Sequence, residues 1–266
     1  MKAQLFQVDA FADRPFEGNP AAVVPLEIWP EDAVLQAIAA ENNLAETAFF
    51  APEGAGSDAF RLRWFTPAVE VDLCGHATLA SAHVILSHLA FSSPEIHFET
   101  RSGRLTVTRA GDLLAMDFPA AKAKPIPEPE GLARALGAKP IVYARTSNIM
   151  ALFGNAAEVA ALDPDFPALK KLLMPSGAGL ICTAPGTDGF DFVSRFFAPA
   201  HGIDEDPVTG SAHCTSVPYW AKKLGKTDLV ARQISKRGGT LWCTDAGDRV
   251  IIRGRCADYM KGEIEV

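Results

Sequence analysis

The alternation of apolar and polar residues predicts a chain with many short strands and few long helices. Runs with a period of two predict strands over residues 2–9, 21–25, 44–50, 60–65, 95–100, 104–108, 113–118, 141–144, 149–153, 179–183, 190–197, 230–235, 241–244, 249–253 and 262–266. Helical spacing and turn residues predict helices over residues 31–42, 77–89, 132–136, 156–162, 167–173 and 210–224. This pattern indicates an α+β fold rather than a doubly wound sheet.

Two of these helices begin in the same way, about half the chain apart. Residues 72–78 (DLCGHAT) and 205–213 (EDPVTGSAH) each end an extended stretch and open an apolar helix. Pro207 disfavours helix at Asp206, and Thr209 can cap the helix that follows. The first N–H groups of a helix lack intrahelical acceptors and attract anions. We therefore expect two pseudo-symmetric domains, each presenting a helix N-terminus, with a site in the cleft between them.

A single proline-rich segment, residues 119–130, divides the sequence nearly in half. It contains four prolines and alternating charges, which is typical of a linker. The predicted domains are residues 1–118 and 131–266, with the last strand either staying in the second domain or returning to the first.

Composition and charge narrow the function classes. The chain of 266 residues is 48% hydrophobic and 21% charged, as globular proteins are. A net charge of −7 without a Lys/Arg run argues against nucleic-acid binding. Apolar runs stay below the roughly 20 residues that a membrane span needs, and the N-terminus does not resemble a signal peptide. Neither GxGxxG nor a P-loop occurs, so nucleotide binding has no support.

The cysteines and histidines indicate neither disulfides nor a metal. Five scattered cysteines without a CxxC pair fit a reducing cytoplasm. The six histidines include no HxH or HxxxH spacing, so we expect no metal site. Three are interpreted as structural, His83, His88 and His97, whereas His201 and His213 flank the second helix opening.

Four side chains at or near the two helix openings are candidates for chemistry. Burial statistics alone favour a solvent-facing Glu46, but in a closed cleft desolvation would raise its pKa and suit it to acid/base catalysis. Cys74 is either a thiolate stabilised by the helix N-terminus or a small buried thiol. Taken singly, His76 and Asp206 fit a capping role. Their occurrence together at two matching openings indicates a site.

The motifs as a set resemble the phenazine-biosynthesis PhzF-like isomerase family. They are residues 8–11 (VDAF) with 18–20 (GNP), 43–47 (NLAET), 74–78 (CGHAT) and 206–212 (DPVTGSA), and the resemblance runs along the whole chain. It implies a diaminopimelate-epimerase-like fold. In that fold two pseudo-symmetric domains each wrap a curled, mostly antiparallel sheet around a central helix.

The resemblance also implies the roles of individual residues. Glu46 would move a proton on a small carboxylated metabolite without a cofactor, and His76 and Asp206 would relay or orient protons. Binding of the substrate carboxylate is implied for Gly75, Gly210 and Ser211, and Cys74, Thr209 and Asn19 are further candidates. Self-association into a homodimer is compatible with such a fold, but no sequence feature indicates a dimer face.

Two alternatives remain open at this point. The CGH motif also resembles the first cysteine motif of two-cysteine racemases of the same fold, but the matching helix has Thr209 where those need a second cysteine. A one-cysteine epimerase or dehydratase acting on amino or imino acids through Cys74 is therefore one alternative. The other is a non-catalytic metabolite-binding protein. Residues 235–239 (SKRGG) depart from the family's Gln-Gly stretch, which leaves the substrate open.

Overall fold

A computed structural model describes residues 2–54, 58–89 and 91–266. Its strands are β1 Lys2–Ala10, β2 Asn19–Pro25, β3 Glu46–Pro52, β4 Ala59–Phe65, β5 Glu70–Val71, β6 Glu95–Thr100, β7 Gly103–Ala110, β8 Leu113–Pro119, β9 Lys124–Ile126, β10 Val142–Arg145, β11 Ile149–Leu152, β12 Leu180–Pro185, β13 Phe192–Ala198, β14 Ile203–Asp206, β15 Asp228–Gln233, β16 Gly239–Asp245, β17 Arg249–Gly254 and β18 Cys256–Glu265. Its α-helices are α1 Asp32–Asn42, α2 Gly75–His88, α3 Leu132–Leu136, α4 Ala156–Ala160, α5 Phe166–Leu173 and α6 Gly210–Leu224. The predicted α+β class is confirmed.

Each predicted helix and strand is found, with its ends shifted by a few residues. Three short strands were not predicted: β5, β9 and β14. The prediction for the last strand was too short, because residues 262–266 are only part of β18. Six consecutive side chains of β18, residues 258–263, are exposed, so this strand has no hydrophobic alternation for a sequence pattern to detect. It is held by its pairing with β1, from Lys2–Glu265 to Ala10–Cys256.

The chain divides into two compact units. The first unit contains residues 1–117 and 253–266, and the second contains residues 118–252. Residues 119–130, predicted as a linker, include β9, which pairs with β10 inside the second unit. Compactness does not test independent folding, so the domain boundaries expected from the sequence stay a prediction.

The two units have the same strand connectivity. In the first unit, β1 pairs antiparallel with β2, β2 pairs parallel with β3, and β3 pairs antiparallel with β4. Strand β4 pairs antiparallel with β5 and parallel with β6. Strand β6 then pairs antiparallel with β7. The second repeats every step with β10, β11, β12, β13, β14, β15 and β16 in the same order. In both units a long helix follows the short fifth strand. The predicted pseudo-symmetry is confirmed.

An ion pair is repeated at the same place in both units. Arg63 of β4 forms two hydrogen bonds to Glu70 of β5, at 2.7 and 2.8 Å. Arg195 of β13 pairs in the same way with Glu205 of β14, at 2.7 and 2.9 Å. Such forked pairs fix geometry as well as charge. Each therefore holds the short strand that leads into the long helix.

Strand alternation separates the two faces of each sheet. Phe49 and Ala51 of β3 pack against α1, in a cluster with Leu35 and Ile38. In β12 of the second unit, Leu180 and Cys182 pack with the residues of α3, α4 and α5. The neighbouring side chains along each strand point to the opposite face. In the first unit α2 contacts β3 on that face, and in the second Ile181 packs there with Ala212 of α6. The long helices α2 and α6 thus lie on the face opposite α1 in the first unit and opposite α3, α4 and α5 in the second.

Helix α6 continues through Pro218. Proline lacks an N–H group, so the carbonyl of Cys214 loses its intrahelical donor. The backbone N–H of Ala121 donates to that carbonyl at 2.9 Å. The chain just after β8 therefore satisfies the group that proline leaves open.

Among the residues that the structure describes, no helix is long and apolar enough to cross a membrane.

Burial of α2 predicts a large difference between two otherwise identical substitutions. Ile85 of α2 is fully buried, whereas Ile28 is 82% exposed. Ile85→Ala removes buried methyl groups and leaves a cavity, so we expect the free energy of unfolding to fall by about 2–5 kcal/mol. Ile28→Ala, the matched control, changes it by less than about 0.5 kcal/mol. Urea unfolding followed by circular dichroism measures both, and equal midpoints would contradict the packing of α2.

Candidate active site

Helix α2 begins abruptly at the residues that the sequence singled out. Cys74 is extended, with φ −145° and ψ 107°, and Gly75 is the first helical residue. Nine residues of α2 are buried, from His76 to Ile85, and the helix contacts β1, β2 and β3. Because the helix is enclosed in this way, its first turn is held at a fixed position beside the sheet.

Three candidate side chains meet at this first turn. His76 Nε2 lies 3.2 Å from Glu46 Oε2, and Cys74 Sγ lies 3.5 Å from His76 Nδ1. Glu46 is the first residue of β3 and faces α2 because of the alternation described above. Its side chain is only 14% exposed, so the burial statistics that favoured a solvent-facing Glu46 were misleading.

Charged and polar neighbours, rather than burial, decide the direction in which the pKa of Glu46 shifts. Burial raises this pKa, but the charge of His76 and polar contacts with His76 and Cys74 outweigh burial and lower it. For His76 the balance is reversed: burial lowers the pKa, and the contact with Cys74 together with the charge and contact of Glu46 holds it well above its usual value. The upward shift of the Glu46 pKa expected from burial is therefore wrong, because the net shift is downward. Both shifts favour the charged forms, a carboxylate on Glu46 and an imidazolium on His76.

Cys74 stays protonated, contrary to the thiolate interpretation. Burial raises the pKa of its thiol to about 11, and the nearby Glu46 carboxylate adds to this effect. The side chain is buried at the helix N-cap, where the sequence alone left a stabilised thiolate open. The local carboxylate and the loss of solvent outweigh the helix dipole here.

The second unit holds its helix opening with a glutamine that the sequence analysis missed. The Thr209 hydroxyl donates a short hydrogen bond to Asp206 Oδ2. Gln233 Oε1 accepts from the Thr209 N–H at 2.9 Å, and Gln233 Nε2 donates to the Asp206 carbonyl at 2.8 Å. Gln233 is fully buried at the end of β15. Its amide therefore bridges both ends of the 206–209 turn. The one sequence signal for this role was a glutamine within a predicted strand.

Two further polar side chains hold the same turn. Ser235 Oγ donates to the Pro207 carbonyl at 2.8 Å and accepts from the Gly238 N–H at 3.1 Å. His213 Nδ1 lies 2.8 Å from the Thr209 carbonyl, and its ring is fully buried. Burial lowers the pKa of His213 to about 4, so this ring is neutral at neutral pH. His201, by contrast, contacts the Gly177 carbonyl on the surface.

The remaining candidates lie at the openings themselves. Gly75 and Gly210 are the first residues of α2 and α6. Ser211, the second residue of α6, is exposed. Around a Cβ built on Gly210, the described residues leave open space within 4 Å. Asn19 begins β2 and is buried, two residues before Ala21, which pairs with Glu46.

The strand register identifies which positions of the two units correspond. Phe65 pairs with Thr47 and with Glu70, and Phe197 pairs with Leu180 and with Glu205. Glu46 therefore corresponds to Gly179, and Cys74 corresponds to Thr209. A Cβ at Gly179 would lie 2.1 Å from the ring of Phe196, so this place in the second unit is filled by an aromatic ring. Among the described residues, the carboxylate of Glu46 and the thiol of Cys74 have no acidic or sulfur counterpart at these two positions of the second unit.

The first-turn cluster also has the composition of a metal ligand set. One ligand atom from each of Glu46, Cys74 and His76 lies within 4.8 Å of the others. A thiolate, an imidazole and a carboxylate together suit zinc. The arrangement can therefore hold either protons or a soft divalent cation.

Comparison with known proteins identifies the family. The family model described as phenazine biosynthesis-like protein (PhzC-PhzF) matches residues 8–262. An uncharacterized isomerase of Pseudomonas aeruginosa is 52% identical over 266 residues, covering 100% of both chains. The chain belongs to this family. The family resemblance and the isomerase class expected with it are confirmed.

Solved structures confirm the fold of this PhzF-family chain. The crystal structure of a PhzF-family phenazine biosynthesis protein of Enterococcus faecalis has a TM-score of 0.95 at 45% identity, with 100% of both chains covered. A predicted epimerase of Pseudomonas aeruginosa has a TM-score of 0.74 at 25% identity, with 99% of each chain covered. The diaminopimelate-epimerase-like fold expected from the motifs is confirmed.

The opposite pKa shifts of Glu46 and His76 give this pair a defined pH window. The lowered pKa of Glu46 contributes stability above the unfolded value near 4.5, which is lost as the pH falls through the folded value. The raised pKa of His76 contributes stability below the unfolded value near 6.5, which is lost as the pH rises through the folded value. Both contributions are complete between these two unfolded values.

Replacing Glu46 should change the titration of His76. Glu46→Gln removes a negative charge 3.2 Å from the ring, so we expect the pKa of His76 to fall. NMR titration of the His76 ring resonances measures the shift. Glu95→Gln removes the carboxylate that lies 3.1 Å from His97, and as a control it leaves the His76 titration unchanged. An unaltered His76 pKa in Glu46→Gln would contradict the charge pair.

Loss of the Gln233 amide should destabilise the second unit. Gln233→Leu removes the acceptor of the Thr209 N–H and the amide that donates to the Asp206 carbonyl, and we expect a loss of about 1–3 kcal/mol for the N–H. Denaturant unfolding measures the loss. Gln4→Leu, at an exposed position of β1, is the control and changes stability by less than about 0.5 kcal/mol. Equal stability of the two variants would refute the bridging role.

Proposed function

We propose that this protein is a cofactor-independent isomerase that moves a proton between two carbons of a small carboxylated metabolite, with Glu46 as the acid/base group. The observation that carries the proposal is the ion pair between Glu46 and His76 at the first turn of α2. An ionised carboxylate that is largely withdrawn from water can accept a proton from carbon, and the same oxygen can return that proton elsewhere.

His76 acts as the charge partner of this reaction. While Glu46 is ionised, the imidazolium stabilises it, and when Glu46 accepts the substrate proton, the same positive charge faces the negative charge that develops on the substrate. Stabilisation of a developing anion by a preorganised cation is a large contribution to catalysis. Cys74 is a protonated thiol 3.5 Å from His76 Nδ1, and it takes no part in moving the substrate proton.

The substrate carboxylate is held by backbone N–H groups at the helix openings. Gly75 and Gly210 begin long helices, whose N-termini attract anions, and the Thr209 hydroxyl is occupied by Asp206 rather than by its own helix. The proposed role of Gly75, Gly210 and Ser211 is to bind this anion. Asp206 keeps its proposed role as an orienting or proton-relaying group, together with Thr209.

The asymmetry of the two units disfavours a two-thiol racemase. Such an enzyme needs a thiol at each matching helix opening, whereas here Thr209 occupies the position equivalent to Cys74 and Gly179 the position equivalent to Glu46. A single carboxylate base fits transfer of one proton out and back rather than exchange between two bases. The raised pKa of Cys74 supports the same choice, because a thiol at about 11 is a poor base at neutral pH.

Deuterium exchange tests the proposal directly. Cyclic unsaturated carboxylates and amino or imino acids are incubated with the protein in deuterated water and followed by proton NMR. With a substrate found in this panel, we expect Glu46→Gln to slow deuterium entry into carbon by about 10²–10⁴-fold. Cys74→Ser retains turnover of wild-type order, and Glu41→Gln, an exposed glutamate of α1, is the matched surface control.

The other outcomes separate the alternatives. Loss of exchange in Cys74→Ser with exchange retained in Glu46→Gln would overturn the carboxylate mechanism in favour of a thiol enzyme. Thermal stabilisation by a carboxylate without any exchange, equal in wild type and Glu46→Gln, would indicate a metabolite-binding protein instead.

A further inference from the structure

A second cluster of ligand-type side chains lies at the far end of helix α2 from His76. His83 and His88 belong to the C-terminal half of this helix, and Asp258 belongs to β18. Asp258 Oδ1 lies 3.0 Å from Nε2 of each histidine, and Oδ2 also lies 3.0 Å from His88 Nε2. The three ligand atoms all lie within 4.8 Å of one another.

We propose that Nε2 of His83, Nε2 of His88 and a carboxylate oxygen of Asp258 bind one divalent transition-metal ion of the zinc type. Two imidazoles and a carboxylate form a nitrogen and oxygen ligand set that zinc and its first-row neighbours accept. Three protein ligands leave at least one coordination position for water. The site belongs to the first unit alone and does not share a ligand with the Glu46 cluster.

The distances are those of side chains that already converge on one point. Ligands about 2.1 Å from a common ion lie roughly 3.0 Å apart when they subtend a right angle and roughly 3.4 Å apart in a tetrahedron. The measured separations of 3.0 Å from Asp258 to both histidines fall at this spacing. A bound ion would take the place of the protons in the hydrogen bonds between the histidines and the carboxylate.

The surroundings of the histidines favour the required orientation. Ser87 Oγ lies 3.5 Å from His83 Nδ1, so a ring that binds metal through Nε2 can donate its Nδ1 proton to this hydroxyl. The His88 ring packs against Phe6, with centroids 4.9 Å apart. The two histidine side chains are only 18% and 21% exposed, which limits their freedom to turn away.

An entry path is available on the same side. His83 and Ser87 line a cavity of about 260 Å³ together with Arg109 and Arg255. Arg255 is paired with Asp13 and Asp112, at 2.8 and 2.6 Å, so its charge is compensated locally. Water can therefore reach an ion bound by His83. The ion in turn would join the end of α2 to β18.

Sequence spacing could not reveal this site, and the expectation that the chain has no metal site rested on spacing alone. His83 and His88 are five residues apart, outside the HxxxH pattern, and Asp258 follows His88 by 170 residues. Only the pairing of β18 with β1 brings the carboxylate to the helix.

Zinc titration tests the proposal with the full chain. Chelator-treated protein without a histidine tag is titrated with Zn²⁺ by calorimetry, in a Cys74→Ser background that removes the thiol of the other cluster. We expect one Zn²⁺ per chain, and a loss of affinity of about 100-fold or more in Asp258→Asn. His97→Gln removes a histidine that is also paired with a carboxylate, at 3.1 Å from Glu95, and leaves binding unchanged.

A second measurement keeps the test independent of folding defects. Zn²⁺ should raise the midpoint of thermal unfolding of the Cys74→Ser protein by several degrees and leave that of Asp258→Asn unchanged. Circular dichroism checks that Asp258→Asn is folded, and His88→Gln replaces it if it is not. Undetectable binding up to about 1 mM Zn²⁺, or equal binding with and without the proposed ligands, would overturn the site and leave a hydrogen-bonded cluster only.

Discussion

A carboxylate withdrawn from water requires a compensating charge, and the pairing of Glu46 with His76 imposes this requirement on the first unit. The two side chains come from different elements, so the first residue of β3 and the first turn of α2 must hold Glu46 Oε2 and His76 Nε2 about 3.2 Å apart. The contacts of α2 with β1, β2 and β3 fix that separation. The hydrophobic packing of the helix is therefore also what keeps a buried charge stable.

The two units repeat one scaffold, and they differ in the side chains at matching positions. The forked Arg63–Glu70 and Arg195–Glu205 pairs hold equivalent strands before equivalent helices. At the two places where a carboxylate and a thiol stand in the first unit, the second unit has Gly179 beneath the Phe196 ring and Thr209 bound to Asp206. At these two matching positions the first unit thus carries ionisable side chains, while the second carries a glycine and a hydroxyl.

The sequence predicts what depends on neighbours along the chain. Strand and helix periodicity, the glycine starts of α2 and α6 and the selection of Glu46 and His76 as candidates all rest on local signals. The direction in which the Glu46 pKa shifts is not a local property, because it depends on the His76 ring, thirty positions later in the sequence, and on the depth of burial. The bridging amide of Gln233 and the approach of Asp258 to His88 are likewise set by strand pairing between distant segments, which no spacing rule records.

The pairing of β18 with β1 has a consequence for the order in which the protein can be built. The second unit is inserted between two parts of the first, so the ribosome finishes all of residues 118–252 before β18 is synthesised. Until then, the edge of β1 that β18 later covers is unpaired, and such an edge can pair with strands of other chains. The strand with the weakest hydrophobic pattern is thus the one that protects the nascent N-terminal sheet from association.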